Sequence, residues 1–105
     1  MSKLKQYKMF IDGEWVDSES KKTFETLNPE NNEPWAVVPE ASTKDVDRAV
    51  KAAQKAFEGE WPKLLPRNRA KFLRAIGDQL TKNAEMLGKV ETIDTGKLFR
   101  ETKQQ

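Results

Sequence analysis

The sequence predicts an α+β fold in which two N-terminal β-hairpins are followed by three or four α-helices. Three observations carry that prediction. Asp12-Gly13 separates two β-prone runs, Tyr7 to Ile11 and Glu14 to Asp17, and a two-residue Asp-Gly loop in that setting is a strong short-range hairpin signal. Ser42-Thr43-Lys44-Asp45 spells a capping box ahead of apolar residues at helical spacing. From Pro66 to Ile93, Leu73, Ile76, Leu80, Leu87 and Val90 recur at the same spacing with charged residues between them.

Taken in order, Met1 to Gln6 is polar and expected to be frayed. The first hairpin follows, and Ser18 to Lys22 reads as a polar turn. Thr23 to Leu27 has β-prone alternation, Asn28 to Glu33 is a loop, and Trp35 to Val38 is a strand fenced by Pro34 and Pro39, because proline has no amide to give to a ladder. These segments make a second, longer hairpin. In the first helix the Ser42 oxygen and the Asp45 carboxylate satisfy amides that the helix start leaves open. Val46, Ala49, Val50, Ala53 and Phe57 form its apolar face, and Gly59 ends it.

Trp61 to Leu65 is a connector into Pro66, which suits the first position of a helix because its missing amide has no partner there in any case. Leu65 is a poor cap in front of it, at a cost of about 1 kcal/mol. The long stretch after Pro66 must bury one side, and Asn83-Ala84-Glu85 reads as a break at which a second helix restarts. Gly77 and Gly88 each cost about 1 kcal/mol relative to alanine inside a helix. Eleven residues apart, they share a face if the helix runs straight, so close approach by another element is expected there. Gly96 suits a left-handed helix terminus. By residue type alone, Asp94 and Thr95 fray the end just before it. A further helix begins at Leu98-Phe99-Arg100-Glu101 and has no closing glycine before Gln105. Residues 1–39 thus carry the hairpins and residues 42–105 the helices of a single incomplete domain.

Composition narrows the chemistry. Only 36% of the 105 residues are hydrophobic and 34% are charged, so the core is expected to be thin and a missing partner surface follows from composition alone. The net charge of +2 comes from 19 basic and 17 acidic residues, interspersed rather than blocked, which is a solubility pattern. The basic residues Lys63, Arg67, Arg69, Lys71 and Arg74 read as a solvated helix face rather than a nucleic-acid surface, because acids follow closely and few aromatics interleave. Cysteine and histidine are both absent, which excludes disulfides, thiol nucleophiles, imidazole bases and zinc sites. The five glycines, Gly13, Gly59, Gly77, Gly88 and Gly96, are too scattered for a dinucleotide-binding turn. With no signal peptide and no apolar run long enough to cross a membrane, a cytoplasmic location is expected.

Four segments in register carry a resemblance: Phe10-Ile11-Asp12-Gly13-Glu14-Trp15, Thr23-Phe24-Glu25-Thr26-Leu27-Asn28-Pro29, Asp45-Val46-Asp47-Arg48-Ala49-Val50 and Glu91-Thr92-Ile93-Asp94-Thr95-Gly96-Lys97. Together they resemble the N-terminal segment of the NAD(P)-dependent aldehyde dehydrogenase superfamily, nearest in character to its betaine-aldehyde dehydrogenase-like members. The resemblance implies an enzyme that oxidises an aldehyde to its carboxylate through a cysteine thioester, with hydride passing to NAD or NADP. The cysteine, the general-base glutamate and the cofactor loop of that chemistry fall outside these residues. The chain alone is therefore expected to be inactive and to hold neither catalytic nor cofactor-binding residues.

The resemblance also implies a structural sodium or potassium ion, held by backbone oxygens of Thr26 and Leu27 and by the Asp94 carboxylate, since hard oxygen ligands suit such an ion. Lys21 and Asn32 stand where relatives often place glycine, which strains two turns if those positions need positive φ. The expected partner is the remainder of the enzyme or another copy of the chain. The alternative is a free-standing binding or assembly module of the same descent.

Overall fold

The computed structural model describes residues 4–102. Asp12 and Gly13 both have positive φ, at 52° and 79°, the signature of the type I′ turn whose twist matches that of two antiparallel strands. They join β2 (Met9–Ile11) to β3 (Glu14–Val16), with Met9 opposite Val16, Phe10 opposite Trp15 and Ile11 opposite Glu14. Phe10 and Trp15 meet across the pair in a tilted arrangement, with ring centroids 4.8 Å apart and an interplanar angle of 58°. The first predicted hairpin is therefore present, with both strands shorter than the β-prone runs.

The expectation of a frayed start needs correcting. Residues 1–3 lie outside the described residues, but Lys5–Gln6 forms a short strand, β1. It pairs in parallel with a distant strand, Lys5 opposite Ala36 and Gln6 opposite Val37. The Tyr7 amide continues the pairing by donating to the Val37 carbonyl at 3.0 Å, and the Tyr7 ring meets Trp35 edge-on at 6.1 Å. Backbone pairing plus one aromatic contact orders residues whose own side chains give no β signal.

β4 (Thr23–Asn28) and β5 (Glu33–Pro39) form the second hairpin, and the sheet order is β1-β5-β4. β5 includes the two prolines expected to fence it. β1 reaches only Ala36 and Val37, so the missing amides of Pro34 and Pro39 fall where β1 offers no partner. Ala36, fully buried, is the only buried hydrophobic residue among those described. The thin core expected from composition is thus present.

The chain divides into two compact units. One holds Pro34–Lys63 together with the chain up to Thr26; the other holds Leu27–Glu33 and the chain from Leu64.

In the first unit, α1 (Thr43–Glu58) starts on the predicted capping box. Of its predicted apolar face only Ala49 is half-buried, while Val46, Val50, Ala53 and Phe57 are exposed; off that face, Asp45 is buried and Ala52 half-buried. Ala52 lies on the side that hairpin β2–β3 reaches, near Ile11 and Val16; Val46, Val50 and Phe57 remain more than half exposed. A single 3-10 turn, Trp61–Lys63, closes this unit.

In the second unit, α2 (Pro66–Lys82) begins with Pro66 at its first position and no side-chain cap from Leu65. The Arg69 guanidinium donates to the Leu64 carbonyl just ahead of the helix. The predicted break at Asn83 is present, but Asn83 does not cap the following helix, α3 (Ala84–Thr95). Its side-chain amide donates instead to the Gln79 carbonyl at 2.9 Å, closing α2. The break also separates the two glycines. An added Cβ at Gly77 meets nothing within 4 Å, so the close approach expected there is absent. Gly88 is buried, and its carbonyl accepts from the Thr102 hydroxyl of α4 (Phe99–Thr102) at 2.9 Å. The side of α2 expected to be buried is open, with Phe72, Leu73, Ile76 and Leu80 all exposed.

Candidate functional site

Besides Ala36, the buried side chains among the described residues are polar: Ser18, Asp45 and Thr102. Asp45 is the most heavily bonded. It takes the Ser42 amide at 2.8 Å and the Ser42 hydroxyl at 3.0 Å, the Glu19 amide at 3.1 and 3.2 Å, and the Arg48 guanidinium at 3.3 Å. The Ser42 amide is the main cause that holds its carboxyl below the usual range. Burial pushes the other way, and the Glu19 amide, the Ser42 hydroxyl and the Arg48 charge add to the lowering. Ser18, beside Glu19, donates its hydroxyl to the Lys22 carbonyl at 3.1 Å. This cluster ties the turn after the first hairpin to the start of α1. The capping role of Asp45 was legible in the sequence; its reach to Glu19 was not, because nothing local marks a partner 26 residues away.

Beside it, hairpin β2–β3 and α1 flank an open pocket of about 340 Å³ lined by Ile11, Val16 and Ala52, by the acids Asp12 and Glu14, and by the basic row Arg48, Lys51 and Lys55. Two of those cations are engaged within the helix, Arg48 with Asp45 at 3.3 Å and Lys51 with Asp47 at 2.9 Å. The hydrogen bond to Asp47, followed by its charge, raises the Lys51 pKa.

The residues expected at a monovalent cation are placed as follows. Thr26 and Leu27 lie next to each other near the end of β4, and Asp94 lies exposed in the last turn of α3. Gly96 ends that helix in the left-handed region, φ 80°, and a Cβ there would stand 3.2 Å from Cγ of Pro29, two residues beyond Leu27. The end of α3 and the turn after β4 are therefore neighbours in the second unit. Among the described residues no three acidic, cysteine or histidine side chains group as a metal site.

The turn at the tip of the second hairpin explains one departure noted above. Asn32 has φ 59°, its amide donates to the Asn28 carbonyl at 2.7 Å, and Asn28 and Asn31 each accept a backbone amide two residues on at 3.0 Å. Lys21 has φ 62° in the turn that Ser18 organises. Both positions do adopt the conformation that favours glycine.

Comparison with known proteins places these elements in context. The sequence matches the profile described as "Aldehyde dehydrogenase family" over residues 15–105. It is 48% identical over 89 residues to an aldehyde dehydrogenase of Aspergillus niger, an alignment covering 85% of this chain and 18% of that protein. It is 42% identical over 96 residues to the putative aldehyde dehydrogenase DhaS of Bacillus subtilis, covering 90% and 19%. Among solved structures, it resembles betaine aldehyde dehydrogenase from Staphylococcus aureus in complex with NAD+, at 42% identity and a TM-score of 0.88, covering 92% of this chain and 20% of that one. It also resembles an NAD-dependent aldehyde dehydrogenase from Sinorhizobium meliloti, at 32% identity and a TM-score of 0.92, covering 96% and 20%. The chain thus spans about a fifth of the length of the relatives it matches.

Proposed function

The chain belongs to the aldehyde dehydrogenase family, and from that premise we propose that it is the N-terminal part of an enzyme oxidising an aldehyde to its carboxylate with NAD or NADP. In this reading residues 1–105 form an incomplete domain that does no chemistry alone. The observation that carries it is the match over residues 15–105 to proteins about five times longer. The chemistry agrees, because the reaction needs a thiolate nucleophile and the sequence has no cysteine. The solved relatives bind NAD or are named as NAD-dependent, which supports NAD as the hydride acceptor of the complete enzyme.

The test is to read the coding sequence past Gln105. An in-frame continuation carrying a cysteine and a glycine-rich turn supports this reading, whereas a native stop codon with expression of the short form supports a free-standing binding module. Reduction of NAD or NADP by the pure chain in the presence of aldehyde would overturn both.

The same reading puts a sodium or potassium ion on the Thr26 and Leu27 carbonyls and the Asp94 carboxylate. In support, Asp94 offers carboxylate oxygens in the last turn of α3, whose Gly96 terminus lies beside Pro29 in the turn after β4, and hard oxygen ligands suit such an ion. If so, Na+ or K+ raises the melting temperature relative to an equal concentration of a bulky organic cation, and Asp94→Asn abolishes the difference.

A further inference from the structure

At the tip of hairpin β2–β3, Asp12 and Gly13 are both exposed. No described backbone carbonyl accepts from the Gly13 amide, and a Cβ built on Gly13 meets nothing within 4 Å. A carboxyl group and an unengaged amide are thus adjacent in the chain, with no side chain between them to hinder approach.

We propose that this pair is a self-modifying site, at which Asp12 converts to isoaspartate through a cyclic imide, and that the folded hairpin favours the step. The Gly13 nitrogen attacks Cγ of the Asp12 carboxylic acid. The N–Cγ bond forms, the Cγ–OH bond breaks, and the hydroxyl leaves with the amide proton as water. Water then re-enters the five-membered ring at either carbonyl. Attack at Cγ restores aspartate; attack at the main-chain carbonyl breaks its bond to the Gly13 nitrogen and leaves the backbone running through Cβ and Cγ. The overall composition is unchanged and no oxidant or other reactant is needed.

The turn geometry bears on the rate. Ring closure brings the Gly13 nitrogen into line with Cβ about the Asp12 Cα–C bond, which for an L-residue means ψ near about −120°, as at the first central residue of a type II′ turn. Type II′ is the other two-residue turn that matches strand twist, and it has positive φ at that same position. Asp12 already stands at φ 52°. Rotating the one peptide between Asp12 and Gly13 therefore reaches the reactive geometry while Phe10 stays opposite Trp15 and Met9 opposite Val16. Glycine, at φ 79°, tolerates the accompanying change of sign. Geometry set in advance lowers the entropic cost of an intramolecular attack. Asp17-Ser18 is the other aspartate followed by a small residue in this stretch, and it lacks these features. Its carboxylate faces the Lys8 ammonium at 3.9 Å and that of Lys21 at 3.7 Å, and Ser18 is buried with its hydroxyl bonded to the Lys22 carbonyl. Isoaspartate adds one atom to the backbone of the two-residue loop, which removes the type I′ turn, so the site acts as a slow clock that opens the Phe10–Trp15 pair.

The test incubates the 105-residue chain at neutral pH, folded in buffer and unfolded in guanidinium chloride, and digests it with trypsin. Cleavage after Lys8 and Lys21 releases residues 9–21, whose two aspartates are Asp12 and Asp17. Chromatography resolves the isomer of equal mass, and electron-transfer fragmentation assigns it to one of them. Isomer is expected at Asp12 in the folded chain, accumulating at least as fast as in guanidinium chloride, with none at Asp17 until the chain is unfolded. Asp12→Asn suits the same turn and loses ammonia in place of water, so it is expected to yield isoaspartate faster. Asp12→Glu would have to close a six-membered ring and is expected to lose the isomer. Absence of isomer at Asp12 in the folded chain overturns the proposal, as does slower formation there than in guanidinium chloride, equal accumulation at Asp17 in the folded chain, or no acceleration in Asp12→Asn.

Discussion

Lys21→Gly is expected to stabilise the chain although it removes an ion pair. Lys21 occupies the left-handed region at φ 62°, which costs a residue with a Cβ about 1–2 kcal/mol. The turn holds it there: the Lys21 amide donates to the Ser18 carbonyl at 3.0 Å and the buried Ser18 hydroxyl donates to the Lys22 carbonyl at 3.1 Å. Glycine relieves that cost and loses about 0.5–1 kcal/mol through the greater freedom of its unfolded chain. The net gain is about 0.7 kcal/mol, which raises the melting temperature of a domain this size by about 3–5 °C. The lost partner, Asp17, lies 3.7 Å from the Lys21 ammonium with both side chains well exposed, a pair of little weight. Lys21→Ala removes the same ion pair and keeps the strain, so the difference between the two variants isolates the backbone effect. Melts followed by far-ultraviolet circular dichroism in dilute solution at pH 7 measure it. If glycine is no more stable than alanine at this position, the turn stores no strain and the argument fails.

Glycines elsewhere respond in opposite senses. Gly77→Ala is expected to raise stability by about 1 kcal/mol, because the position is helical and an added Cβ meets nothing within 4 Å; a loss in the melt contradicts that. Gly96→Ala is expected to cost about 1–2 kcal/mol, since φ is 80° and the new Cβ stands 3.2 Å from Pro29; chemical denaturation of the two proteins checks it. Asp45 gives a pH dependence. Its folded pKa is lowered, so its contribution to stability is complete above the ordinary carboxylate value of about 3.9 and is lost as pH falls through the lower folded value. The melting difference between the parent and Asp45→Asn is therefore expected to be largest near neutral pH and to shrink below about pH 4; a difference that is flat down to pH 2 refutes the assignment.

What the sequence disclosed was set by neighbours within a few residues. Asp12-Gly13 makes its turn, Ser42 and Asp45 their capping box and Gly96 its left-handed terminus from local sterics and hydrogen bonds. Pairings between distant segments stayed hidden. Lys5 and Gln6 find Ala36 and Val37 through backbone groups that every residue carries, and Asp45 finds the Glu19 amide in the same way. Periodicity located the apolar faces of α1 and α2 without saying whether anything covers them, so both sides expected to be buried are open among the described residues. Gly77 and Gly88 looked equivalent by spacing; the Asn83 break and the Thr102 hydroxyl distinguish them. The cation positions Thr26, Leu27 and Asp94 came from family resemblance, since a site of backbone carbonyls and one carboxylate leaves no spacing pattern to find.

Sedimentation equilibrium of the purified chain over a wide concentration range, at moderate and at raised salt, tests most directly the claim that this is part of a larger fold with an unfinished core. The account predicts a weight-average mass above the 12.1 kDa of the single chain, rising with concentration and persisting as salt is raised, because apolar association is not screened. A mass of 12.1 kDa at every concentration, together with one sharp cooperative melt, would contradict it by showing that the chain closes its own core.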